Sequence, residues 1–284
     1  MRTRITTRIT TRITTRITTR ITTRITTRIT TRITTRRKAS RMNPTVQILD
    51  HRTPEERERE FLPGMGKPWL LPFYDLFSRR VGARALHERA AALAGVAPGQ
   101  SVLDVGCGTA NLALTVLRAQ PAARVTGLDP DAGALRVAAR KATRRRVPIT
   151  LVQGFADRLP NADGSLEHIV SALALHHVPE AGRVRFASEA ARVLRPGGKV
   201  TIVDFGGAAG ADGSDHGGHG HGGHGHGGHG WRGHGHRGGH DRPRGHGPAD
   251  LVRLLTDAGF ADVREVEHVE HRFGPIAFVQ ATRP

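Results

Sequence analysis

The chain has 284 residues and a formal net charge of +18, a length that leaves one large domain or two small ones open. Residues 1–41 hold twelve Arg and Lys38 without a single acid, which leaves +5 for everything after them. A basic surface over the whole molecule, of the kind that grips nucleic acid, is thereby excluded. The one cysteine, Cys107, excludes an internal disulfide and fits a reducing compartment. No apolar run approaches the ~20 residues of a membrane helix and no signal peptide is readable, so a cytoplasmic location is expected.

The first element is a tandem repeat. From Arg4 to Arg36 the unit Arg-Ile-Thr-Thr recurs without error. A helix would place its arginines at i, i+4, where like charges repel, among β-branched residues. A strand would show Arg and Thr on one face and Ile and Thr on the other, with nothing to cover either. Residues 1–41 are therefore expected to be a disordered tail. Three origins stay open: a transit peptide, a basic arm for nucleic acid or anionic membrane, and translation of a repeat upstream of a true start at Met42. An error-free repeat favours the last, and nucleic-acid binding is expected only if the tail is expressed.

Residues 42–95 are expected to form an N-terminal helical segment. Residues 54–60 are charged and helical in pattern. Turns then alternate with Phe61, Trp69, Phe73, Tyr74 and Phe77, an aromatic set suited to a lid, and an amphipathic helix over 80–94 stops at Gly95. Beyond it strand and helix signals alternate, which predicts βαβ units and a parallel sheet over 96–284. Strands are expected at 101–105, 124–128, 149–152, 166–173 and 199–204, and helices at 111–119, 131–143 and 180–194. Arg195-Pro196-Gly197-Gly198 reads as a turn. Residues 206–247 are Gly- and His-rich, with ten histidines between His216 and His246, and read as a flexible insertion. A helix over 248–258 and strands at 261–269 and 276–281 complete the chain.

The first of these strands runs through Asp104 into Gly106-Cys107-Gly108, a turn that lets backbone approach a ligand at a helix N-terminus. The second ends in Asp129. In a doubly wound sheet both strand ends face one crevice, where an acid can accept the two hydroxyls of a ribose. Asp104, Gly106, Gly108, Asp129, the stretch Gly154-Phe155-Ala156-Asp157-Arg158-Leu159-Pro160, Leu175-His176-His177 and Leu194-Arg195-Pro196-Gly197-Gly198 together resemble class I S-adenosylmethionine-dependent methyltransferases. The likeness is to the ubiquinone/menaquinone-biosynthesis type, over residues 61–205 and 248–284.

The resemblance implies a Rossmann-like, doubly wound, mostly parallel sheet with a C-terminal antiparallel strand and helices on both faces. It implies S-adenosylmethionine as cofactor. Asp104, Gly106, Cys107 and Gly108 would form the loop under the methionine moiety, and Asp129 would hold the ribose. Leu128 or Pro130 would pack near the adenine, and Ala156 would offer it a backbone amide. Ser171 and Ala172 would line the methionine side, and Tyr74-Asp75 would fold over the cofactor. Two positions depart from the family. Ala110 replaces a frequent third glycine, a mild change at a helix start. Phe155 stands where an Asp commonly bonds the adenine amino group, with Asp157 two residues on.

His176 and His177 face the presumed acceptor pocket, and one of them is the candidate general base. The expected reaction is in-line methyl transfer to a small-molecule acceptor. A nicotinamide-dependent oxidoreductase would want a third glycine where Asn111 stands. The alternative from another class is a metal storage or delivery protein on a degenerate methyltransferase scaffold. It would use His216, His219, His221, His224, His226 and His229 for Ni, Zn or Cu, or these would bind such metals incidentally.

Overall fold

The computed structural model describes residues 46–61, 82–206, 248–271 and 274–284. The repeat tail, most of the aromatic stretch including Tyr74, and the Gly/His-rich insertion with its six candidate metal ligands lie outside the described residues. Among the described residues no helix is long and apolar enough to cross a membrane.

In chain order the elements are β1 (Gln47–Asp50), α1 (Pro54–Glu58), α2 (Ala83–Ala94), β2 (Ser101–Val105), α3 (Asn111–Ala119), β3 (Arg124–Asp129), α4 (Ala132–Arg145) and β4 (Thr150–Gln153). There follow β5 (Leu166–Ala172), a 3-10 turn (Leu175–His177), α5 (Glu180–Val193), β6 (Leu194–Phe205), α6 (Pro248–Asp257), β7 (Ala261–Val269) and β8 (Ile276–Thr282). All eight strands share one sheet in the order β1-β4-β3-β2-β5-β6-β8-β7. From β1 to β6 the neighbours are parallel. β8 runs antiparallel to β6, and β7 antiparallel to β8. This is the doubly wound, mostly parallel sheet expected, closed by an antiparallel pair.

The central strands are buried on both faces, so their side chains alternate between two cores. Val102, Val125, Leu151, Val170 and Val203 pack under α2, α3 and α4. Leu103, Leu128, Val152, Ile169 and Ile202 pack under α5 and α6. The chain builds β2, β3 and β4 outward in one direction, then returns to place β5 on the other side of β2. The order reverses at β2, and the carboxyl ends of β2 and β5 flank the crevice that reversal leaves.

Two features were not expected. Residues 47–50 add β1 to the sheet edge, parallel to β4 from Gln47↔Thr150 to Asp50↔Gln153. All four residues are exposed, so they carry none of the alternation that betrays a half-buried strand. The second is the turn at 195–198, which lies inside β6 as an irregularity. Pairing jumps from Leu166↔Leu194 to His168↔Lys199, and Gly197 at φ 75° makes the kink. Its amide donates to Arg283 O at 2.8 Å, and the Arg283 amide returns to Gly198 O at 2.8 Å. The C-terminal segment thus supplies the pairing that keeps the bulge in the sheet.

Candidate active site

The site begins where β2 and β3 stop. The Gly106 and Cys107 amides both donate to Leu128 O, at 2.9 and 3.0 Å, which folds the loop against the end of β3. Gly106 has φ 70°, and a Cβ there would lie 2.3 Å from the Ala174 Cβ; only glycine passes. Asp104 is 1 % exposed and accepts the Ala113 amide at 2.9 Å, under the first turn of α3. Asp129 accepts the Gly108 amide at 2.7 Å on Oδ2 and the Asp131 amide at 2.9 Å on Oδ1. Each oxygen keeps a lone pair for a further donor.

Neither acid has an ion-pair partner among the described residues. Burial pushes Asp104 up to about 7, helped by the neighbouring Asp129 charge, against the Ala113 amide that pulls it down. Burial likewise raises Asp129 to about 6, against the pull of the Asp131 and Gly108 amides. Two desolvated carboxylates side by side make a site that wants a cation and hydroxyl donors. On the loop's far side the buried Lys141 Nζ donates to Thr109 Oγ1 at 3.0 Å and to Asn111 Oδ1 at 2.6 Å.

A cavity of about 380 Å³ opens along this edge. Of the residues singled out from sequence, Asp104, Gly106, Cys107, Gly108, Asp129, Pro130, Phe155, Ala156, Asp157, Ala172 and His177 line it together. Ser171 and His176 do not. Ser171 is turned away and donates its hydroxyl to Val105 O at 2.9 Å. His176 forms a second layer, with Nδ1 2.6 Å from Asp204 Oδ1 and its amide 3.1 Å from Asp204 Oδ2. Its ring lies 4.0 Å from that of His177, centre to centre. Of these two, His177 meets the cavity, and burial, with the adjacent His176, lowers it to about 4.

The pattern of the sequence did not single out Arg59, His87 or Thr109, which also line the cavity. Asp204 was passed over too, although it stands one residue before the end of β6 and is a buried acid in an apolar strand, a signal that was available. Arg59 carried none, being one charge in a charged stretch. Its segment is held by a capping box between Thr53 and Glu56 and by Arg158, which donates to Glu56 Oε1 at 2.9 Å and Oε2 at 2.6 Å.

Ala110 requires a correction. It has φ 62°, the left-handed region, so the position is not an ordinary helix start and alanine is strained there by ~1–2 kcal/mol. The methyl is fully buried, and losing it costs ~0.8 kcal/mol. Ala110→Gly is expected to change stability by less than about 1 kcal/mol, in either direction, and Ala110→Val to cost more than about 2 kcal/mol, both read from denaturant midpoints. Leu173, also lining the cavity, has φ 55°. Strained backbone therefore flanks the site on both sides.

Residues 102–198 match the family model described as a methyltransferase domain. The chain is 36% identical over 144 residues to the uncharacterized methyltransferase sll0829 of Synechocystis, covering 49% of this chain and 63% of that protein. It is 32% identical over 142 residues to the ubiquinone/menaquinone biosynthesis C-methyltransferase UbiE of Syntrophotalea carbinolica, covering 48% of this chain and 58% of the relative. The chain thus spans about three-fifths of the length of these relatives. A solved S-adenosylmethionine-dependent methyltransferase from Aquifex aeolicus shares the fold, with a TM-score of 0.54 at 19% identity over 77% of this chain and 99% of that one. Residues 102–198 thus match a methyltransferase domain, the relatives they resemble include a ubiquinone/menaquinone biosynthesis C-methyltransferase, and the fold is one that a solved S-adenosylmethionine-dependent methyltransferase shares.

Proposed function

We propose that the chain transfers the methyl group of S-adenosylmethionine to a small-molecule acceptor by in-line displacement, in the cytoplasm. The observation that carries this reading is the pair of buried carboxylates, Asp104 and Asp129, without an ion-pair partner among the described residues, at neighbouring strand ends around a glycine turn. When bound, the sulfonium supplies an activated methyl and a neutral leaving group. Asp104 accepts the ammonium of the methionine moiety, and the backbone of Gly106, Cys107 and Gly108 passes beneath it. Asp129 takes the ribose hydroxyls on its remaining lone pairs, and Leu128, Pro130 and Ala156 flank the base. Nothing in this chemistry asks for a metal.

His177 is the group placed to receive a proton from the acceptor. With its pKa near 4 it is unprotonated at neutral pH, so it stands ready as an acceptor but takes the proton only as the acceptor's own acidity rises in the displacement. Asp204 fixes His176 behind it, which holds the imidazole pair in place. The buried Leu175 gives the cavity an apolar wall beside His177.

The carboxylate pair gives the test. A cationic ligand requires both acids ionised, and their pKa values of about 7 and 6 mean that binding expels protons below neutrality. Affinity for S-adenosylhomocysteine, whose ammonium is retained, is expected to fall by about tenfold or more between pH 8 and pH 5.5 in calorimetry, with proton release on binding. Binding independent of pH would remove the two acids from the site; no binding at any pH would remove the function.

A further inference from the structure

Two stretches of chain far apart in sequence build the end of the cavity beside β4. With the methionine end at Asp104 on β2 and the ribose at Asp129 on β3, the base continues to the next strand end, that of β4, where Phe155, Ala156 and Asp157 line the cavity. Arg59, which follows α1 and stands 98 residues before Asp157, lines it with them. Its guanidinium carbon lies 4.4 Å from the centre of the Phe155 ring, as a cation over an aromatic face. The same guanidinium donates from Nη1 to both oxygens of Asp157, at 3.0 and 2.8 Å. Asp157 is itself held in place: its side chain is 8 % exposed, and Arg185 on α5 donates to its Oδ2 at 2.9 Å.

The neighbouring residue grips the same segment. Arg158 donates to Glu56 on α1 and to His51 O, while the His51 amide donates to Gln153 O at 2.9 Å. The end of β4 and the loop after it therefore hold the N-terminal segment at residues 51, 56 and 59. A guanidinium carries five N–H donors in a rigid fork, and only those on Nη1 go to Asp157. A purine presents ring nitrogens with lone pairs and a π face, the complement of a fixed planar cation. An ion pair out in solvent would be worth little and would leave ligand affinity untouched. Arg59 instead forms part of the cavity wall, its side chain 33 % exposed, over an aromatic ring.

We propose that Arg59 is a cofactor-binding residue, donating to ring nitrogens of the purine base and aimed at it by Asp157 and Phe155, so that the N-terminal segment 46–61 completes the nucleoside site. The inference rests on the reading that an adenosyl group occupies this cavity. Arg185 supplies the control. It shares Asp157 with Arg59 but stands outside the cavity lining, its side chain 57 % exposed.

The test measures S-adenosylhomocysteine binding by calorimetry at about pH 8, on the full chain and on its Arg59→Met and Arg185→Met variants. Each variant takes one arginine from Asp157, and methionine keeps an apolar stem in its place. R59M is expected to bind about tenfold or more weakly, and R185M within about threefold of the unaltered chain. Equal losses would mean that both arginines act only by holding Asp157, and unchanged binding in R59M would remove Arg59 from the site. Either result overturns the proposal and leaves the cofactor reading intact; failure of the unaltered chain to bind overturns that reading and this inference with it. 5′-Methylthioadenosine, which keeps base and ribose without the amino acid, locates the contact: R59M is expected to weaken it by the same factor, and a loss confined to S-adenosylhomocysteine would put Arg59 at the other end. Should R59M not fold, Arg59→Lys, which keeps the charge without the fork, is expected to bind about threefold or more weakly, and full affinity there overturns the proposal.

Discussion

Asp129→Ala is expected to abolish measurable binding of S-adenosylhomocysteine, a loss of about a hundredfold or more, with little change in melting temperature. The binding half follows from two hydrogen bonds to a charged, dry acceptor, each worth ~1.5–3 kcal/mol. The stability half follows from the sign of the pKa shift. Asp129 titrates near 6 in the fold against an ordinary value of 3.8. The folded state therefore holds the proton more tightly, and at neutral pH its ionisation costs the fold on the order of 3 kcal/mol. That cost is absent below about pH 4 and complete above about pH 6. Alanine removes it, while leaving the Gly108 and Asp131 amides without their acceptor at ~1–3 kcal/mol each. The two effects oppose each other, so a ligand-binding acid is distinguishable from a structural cap. Calorimetry and thermal denaturation on one preparation separate them: unchanged affinity with a fall of more than about 10 °C would make Asp129 a cap only.

This trade explains why the site was legible in the sequence when much around it was not. Asp104 and Asp129 stand at the ends of apolar strands where no core residue has reason to be acidic, and the glycines between them mark a turn under constraint. These are local signals, and the sheet order confirms the crevice they imply. Ser171 was placed by the family resemblance and His176 by its position just beyond a strand end. One residue of pleat decides whether a side chain meets the cavity or the backbone behind it, and Ser171 turns toward Val105 O. Ala110 was read from helix propensity, whereas its φ of 62° comes from the tight Cys107–Ala110 turn, closed by a 2.7 Å hydrogen bond. β1 and Arg59 depend on contacts a hundred residues away in sequence, at Gln153 and Asp157. No window of neighbouring residues contains that information.

Gly106→Ala carries the other large effect, and its partner residue makes it testable as a coupling. The substitution meets two separate obstacles. At φ 70° any side chain is strained by ~1–2 kcal/mol, and a Cβ would sit 2.3 Å from the Ala174 Cβ, far inside contact, adding ~1–3 kcal/mol of overpacking. Neither side yields easily. Gly106 is tied to Leu128 O through its amide, and Ala174 follows Leu173, itself at φ 55° and bonded to Val203 O at 2.8 Å. The loop would have to lift from the end of β3, withdrawing the amides proposed to run beneath the cofactor. G106A is therefore expected to lose ~2–5 kcal/mol of stability and most of its affinity for S-adenosylhomocysteine. Ala174→Gly removes the clashing methyl, which lies 2.3 Å from that Cβ, but leaves the backbone strain. The double variant G106A/A174G is expected to regain the clash component and keep the rest, a favourable coupling of ~1–3 kcal/mol in denaturant midpoints. Additive losses would mean that β2 and β5 do not meet at this loop, and the crevice between them would have to be drawn elsewhere.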